Sequence, residues 1–205
     1  MKLYGSLTSP FVRKIRAILA EKKIAYEFVL EDVWAADAYI NAINPLGKVP
    51  CLLLDNGKAI YDSKVISEAL EKLHPIPALM PSDTASLIEM RTLEALADGM
   101  MEAAVNIFLE KKFHTEAECS ISWQHRQEKK IALSCQALES LIAKSASGYL
   151  QESFSVADIC VVCALGYVDL RLPHILWEGQ YPALAQYVNR LQQKESLATT
   201  HPKVS

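Results

Sequence analysis

The sequence predicts a chain in two parts, an α/β module over residues 1–76 and an all-helical domain over residues 84–205, joined by a linker at 77–83. Three observations carry this. Short β-type runs alternate with short helical patterns as far as Leu73. Proline then recurs at Pro75, Pro77 and Pro81, punctuation that ends an α/β pattern. Beyond Asp83 the apolar residues follow helical spacing alone.

The elements follow in order. Lys2 to Gly5 reads as a first strand. Pro10 opens a helix with Phe11, Val12, Ile15, Ile18 and Leu19 on one face. Ser9 stands at its N-cap and Pro10 at N1, the favoured order for a helix start. Tyr26 to Leu30 reads as a second strand, and a helix between two strands implies a parallel βαβ unit. Residues 37–44 form a short helix that stops at Asn44-Pro45. Cys51 to Leu54 and the run to Tyr61 flank Asp55-Asn56-Gly57-Lys58, and Asn-Gly between apolar runs signals a hairpin. Asp62-Ser63 starts a helix with Val65, Ile66, Ala69, Leu70 and Leu73 apolar. The order is β-α-β-α-β-β-α.

In the second part, Leu93, Leu96, Met100, Ala103 and Ile107 share one helix face. Ile131, Cys135, Leu138 and Ile142 share another, and Leu184, Tyr187, Val188 and Leu191 a third. Ser155 to Asp158 fits a capping box with Asp in place of Glu, with Phe154 and Ile159 at the staple positions.

Composition limits the function. Hydrophobic residues are 51% and charged residues 22% of the 205, which excludes gross disorder. A net charge of −3 and a pI near 6.0 argue against a nucleic-acid platform, where a pI above about 9 is expected. The longest apolar run, Ile159 to Val168, is too short for a membrane span. Pro10, Arg13, Lys14 and Arg16 fall where the apolar core of a signal peptide would be. The five cysteines then read as reduced thiols of a cytoplasmic protein. Cys160 and Cys163 have C-x-x-C spacing, but no second pair accompanies them to build a zinc site. They read as buried small apolar residues. The five histidines show no ligand spacing, and no metal is expected.

Four segments in register carry a resemblance: Ser9-Pro10-Phe11, Asn44-Pro45-Leu46-Gly47-Lys48-Val49-Pro50, Asp62-Ser63, and Phe154 to Ile159. Together, over nearly the whole chain, they resemble the glutathione S-transferase superfamily, in particular its serine-type members. The resemblance implies a thioredoxin-like N-terminal domain that binds glutathione and a helical domain that holds a hydrophobic electrophile. It also implies a homodimer.

The same resemblance assigns roles. Ser9, at a helix N-terminus that favours anions, would donate to the glutathione thiolate. Ser6, Thr8 and Tyr4 are competing hydroxyls, and Ser9 is preferred because it directly precedes the proline. Val49-Pro50 would be a cis peptide, with the Val49 backbone pairing the cysteinyl backbone of glutathione. Lys48 would approach a carboxylate. Ser63 would hold the γ-glutamyl carboxylate and Asp62 its ammonium group. Asp98 stands where some relatives send an acid into the partner subunit's site, or is a solvated or intrahelical Asp. Phe108, Phe113 and Trp34 are candidate pocket walls or core. Ser9 in place of the glutaredoxin cysteine, with Val12 at the second redox position, disfavours thiol–disulfide exchange. The expected reaction is attack of the thiolate on an electrophile by conjugation, peroxidase or dehalogenase chemistry. The alternative is a non-catalytic protein of this fold, either a ligand carrier or an interaction module such as an RNA polymerase-associated protein.

Overall fold

Among the described residues, four short strands and three helices make up the first half of the fold. Their order is β1 (Lys2–Gly5), α1 (Pro10–Glu21), β2 (Glu27–Leu30), α2 (Ile40–Ile43), β3 (Cys51–Leu53), β4 (Ala59–Ile60) and α3 (Ser63–Leu73). The computed structural model describes residues 1–35 and 37–202. The sheet runs β2-β1-β3-β4, with β1 parallel to β2 and antiparallel to β3. β3 and β4 form the antiparallel hairpin. This is the thioredoxin-like βαβαββα arrangement. α2 is shorter than the 37–44 pattern implies and starts only at Ile40, whose amide donates to the Glu31 Oε1 at 3.0 Å. The hairpin turns where Asn-Gly stands, with Gly57 at φ +82°.

The pleat sorts side chains to two faces. Tyr4 and Cys51 face one side, where Val29, Val33, Leu53 and α2 residues Ile40 and Ile43 pack with them. Leu3 and Leu52 face the other and are fully buried. α1 lies on that side so closely that a Cβ on Gly5 would stand 2.5 Å from a Val12 methyl. Only glycine allows this approach.

The second half is helical: α4 (Thr84–Phe113), α5 (Ile121–Ile142), α6 (Val156–Arg171), α7 (Pro182–Leu191) and the short α8 (Glu195–Ala198). The apolar run Ile159 to Val168 is the centre of α6 and is buried all round, as a helix without a polar face must be. Cys160 and Cys163 lie within it, fully buried. No described helix is long and apolar enough to cross a membrane. The capping box forms: the Ser155 amide and hydroxyl donate to the Asp158 Oδ2 at 2.8 and 2.9 Å. The Leu150 amide (3.0 Å) and the Tyr187 hydroxyl (2.5 Å) donate to its Oδ1.

The chain divides into two units, Met1–Met80 with the chain from Glu195 onward, and Pro81–Lys194. The sequence division placed everything from 84 to 205 in the helical domain. The structure instead returns α8 to the α/β unit, and residues 203–205 lie outside the described residues. The physical reason is burial. Leu197 is fully buried, and the Arg13 guanidinium of α1 donates to the Leu197 carbonyl at 3.2 Å. The Ser196 hydroxyl donates to Glu21 at the end of α1. A second anchor of this unit is Lys22, whose ammonium donates to the His74 and Pro77 carbonyls at 2.7 Å each and pairs with Glu71 at 2.8 Å.

Candidate functional site

Strand register brings the motif segments of the α/β unit to one end of the sheet. β1 finishes at Gly5 and leads through Ser6–Ser9 into α1. Cys51, the first residue of the antiparallel β3, pairs with Tyr4, so Lys48, Val49 and Pro50 enter at that same end. Ile60, the last residue of β4, pairs with Leu52, so Asp62 and Ser63 leave there too. Three segments far apart in sequence thus open on one edge.

Ser9 is the N-cap of α1, with extended backbone (φ −70°, ψ 126°) and Pro10 at N1. Its Oγ accepts from the Val12 amide at 3.3 Å. A hydroxyl carries one donor as well as acceptor lone pairs. Capping uses an acceptor, and among the described residues the Ser9 proton has no recipient. Capping and donation to a thiolate are therefore compatible. The competing Tyr4 hydroxyl belongs to a ring packed in the α2-side core, 5.6 Å from the Tyr39 ring, and burial pushes its pKa above the ordinary value.

Val49–Pro50 is cis, as the resemblance implies, and so is Ile76–Pro77 at the start of the linker segment, which no motif marks. Val49 packs against the Tyr4–Ile40–Cys51 cluster, Pro50 is buried, and Lys48 is exposed. The loop before them is held by Asn44. Its Nδ2 donates to the Lys48 carbonyl at 2.7 Å, and its Oδ1 accepts from the Leu46 amide at 3.0 Å. Gly47 sits at φ +61°, with its position crowded by the Asn41 side chain. Asn44 therefore does more than stop a helix. Asn-Pro as a turn-former was the available signal.

Asp62 is the N-cap of α3, its Oδ1 accepting from the Lys64 amide at 2.9 Å. Ser63 follows at N1 and is 4% exposed. Among the described residues, one carboxylate oxygen of Asp62 and the first-turn amides of Ser63 and Val65 have no hydrogen-bond partner, since a helix start leaves its first donors without intrahelical acceptors.

In the helical unit, Asp98 is 2% exposed within α4, so it is not a solvated residue. Phe108 carries the Arg171 guanidinium over its ring at 4.2 Å. Phe113 and Trp34 are about half exposed. Among the described residues no cluster of His, Cys, Asp and Glu has the makings of a metal site.

The family models for the glutathione S-transferase N-terminal domain and C-terminal domain match residues 3–85 and 121–190. The chain belongs to the glutathione S-transferase family. It is 37% identical over 203 residues to the uncharacterised GST-like protein YibF of Escherichia coli K12, covering 98% of both chains. It is 28% identical over 208 residues to a probable maleylacetoacetate isomerase of Drosophila melanogaster, covering 98% of this chain and 80% of that one. A crystal structure of a glutathione S-transferase from Methylobacillus flagellatus with glutathione bound superposes with a TM-score of 0.93 at 37% identity, covering 98% of this chain and 99% of that one.

Proposed function

We propose that this chain is a glutathione transferase in which Ser9 stabilises the glutathione thiolate for attack on electrophilic, partly apolar substrates. The observation that carries the reading is the Ser9 hydroxyl, committed as an acceptor to the α1 cap while its proton stays available at the helix N-terminus. A glutathione-bound relative of closely similar fold supports the ligand.

The energetics suffice. A thiol of pKa near 8.5 is mostly protonated at pH 7. Lowering that pKa by about two units needs roughly 2.7 kcal/mol. A hydroxyl donating to an anion supplies about 1.5–3 kcal/mol, and the helix terminus adds about 0.3–1 kcal/mol. In this reading the Val49 backbone pairs the cysteinyl residue, with Pro50 shaping that entry to β3. Lys48 attracts a carboxylate. Ser63 and the α3 amides hold the γ-glutamyl carboxylate, and the second oxygen of Asp62 takes the ammonium group. The thiolate then forms a bond to the electrophilic atom. Either a leaving group is displaced and departs with its electron pair, or a π bond breaks and its far atom takes a proton from solvent. The proton of the glutathione thiol leaves to solvent when the thiolate forms.

The isomerase relative favours a second outcome for the same thiolate. Reversible addition to an electrophilic double bond isomerises it and returns glutathione. On the family resemblance, the protein acts as a homodimer in the cytoplasm.

The test is calorimetric titration of glutathione at pH 7 into the wild type and Ser63→Ala. Micromolar-to-millimolar binding that weakens in the variant supports the site. No binding at about ten millimolar, where even a weak millimolar site would fill, removes the transferase reading and leaves a protein-interaction role for the fold.

A further inference from the structure

We infer that Asn44 is a positioning residue that sets glutathione affinity through the carbonyl of Lys48. The inference rests on the glutathione-binding reading above. Asn44 is 1% exposed, yet its side chain reaches both ends of the segment that follows it. Its Oδ1 accepts from the Leu46 amide at 3.0 Å, and its Nδ2 donates to the Lys48 carbonyl at 2.7 Å. Its own backbone carbonyl accepts from the Gly47 amide at 2.9 Å, and its amide is anchored on the Ile40 carbonyl at 2.8 Å. One buried side chain therefore closes the Pro45–Gly47 turn and fixes the peptide that joins Lys48 to Val49.

That peptide matters because it supplies the Val49 amide. A ligand strand that pairs with Val49 needs this amide at a fixed orientation. A backbone group that must be ordered at binding costs affinity, whereas one already held does not. Lys48 itself is exposed, so nothing in its side chain fixes the turn. Asn44 acts from behind the binding edge and needs no contact with ligand. Aspartate is not equivalent, since its carboxylate accepts from Leu46 but has no proton for the Lys48 carbonyl.

The experiment measures glutathione Kd and steady-state kinetics for the wild type, Asn44→Ala and Asn44→Asp, with Tyr187→Phe as a control for general loosening in the helical unit. Wild-type binding comes first, because its absence would sink the glutathione reading and not the role of Asn44. Given that binding, Asn44→Ala is expected to raise Kd and KM for glutathione about tenfold, the order of losing a buried hydrogen-bond pair. The KM for the electrophile should stay within about twofold, as for a site this substitution does not touch. Asn44→Asp is expected to bind poorly at neutral pH and to recover on acidification, because a protonated carboxyl regains a donor. Glutathione Kd within about twofold of wild type in a folded Asn44→Ala, or an equal rise in Tyr187→Phe, overturns the inference. If Asn44→Ala does not fold, the pH dependence of Asn44→Asp decides, and a flat profile parallel to wild type overturns it.

Discussion

A serine hydroxyl at a helix N-cap has two lone pairs and one proton, and among the described residues the Ser9 hydroxyl is engaged only as an acceptor, from the Val12 amide. Ser9→Ala removes both the cap and the donor. Turnover is expected to fall by about tenfold or more, the factor implied by losing a hydroxyl bond to the thiolate of roughly 1.5 kcal/mol or more. Glutathione Kd should change little, because in the proposed site the remaining contacts are made by the segment before β3 and the first turn of α3. The reading fails if turnover survives intact. Two buried thiols of the chain, Cys51 and Cys135, are built to be inert. Burial pushes Cys51 up to about 11, and burial with the nearby Asp169 charge pushes Cys135 up to about 12. Both keep their protons in the folded chain at pH values where the unfolded chain loses them. The folded state then binds more protons, so stability should be fully present below about pH 9 and fall as pH rises toward 11. Urea unfolding at pH 8, 9.5 and 10.5 checks this, and replacing both cysteines by alanine should flatten the decline.

Among the elements, α6 depends most on a single residue. Asp158 accepts from Ser155, Leu150 and Tyr187, all while fully buried. Asp158→Ala strands several buried donors and is expected to cost on the order of 3 kcal/mol or more. Tyr187→Phe removes one bond and should cost about 1 kcal/mol. Denaturant midpoints that reverse this order would overturn the account. Elements of this kind were legible in the sequence because their signals are local. Ser9-Pro10 marks α1, Asn56-Gly57 marks the hairpin, and Ser155 with Asp158 marks α6 within a few residues. The candidate site was legible as separate motifs, each at an element start. Their meeting was implied by the family resemblance alone and not by local pattern, since it follows from Tyr4 pairing with Cys51 and Leu52 with Ile60, and register is set across strands. Asn44 read as a helix stop because its two long reaches, to Leu46 and Lys48, show no period. Asp98 was open to a solvated reading because an acid in a helix pattern is usually exposed, and its burial comes from neighbours in the fold.

For the molecule as a whole, the unit carrying the candidate glutathione edge is discontinuous in sequence. Met1–Met80 is completed by α8, with Arg13 donating to the Leu197 carbonyl and Leu197 fully buried. Deleting the chain from Glu195 onward should therefore loosen the α/β unit first. Hydrogen exchange is expected to show lost protection in β1 and α1, while α4 and α6 keep theirs. Equal loss in both units would contradict the division. No periodicity revealed α8's destination, because an apolar Leu197 fits either unit equally well. The arrangement bears on how the protein is made. A ribosome adding roughly 5–20 residues per second delivers all of Pro81–Lys194 before α8 emerges, a wait on the order of ten seconds. During that wait the α/β unit lacks the cover that Leu197 gives it in the folded chain, so the half encoded first is the half finished last.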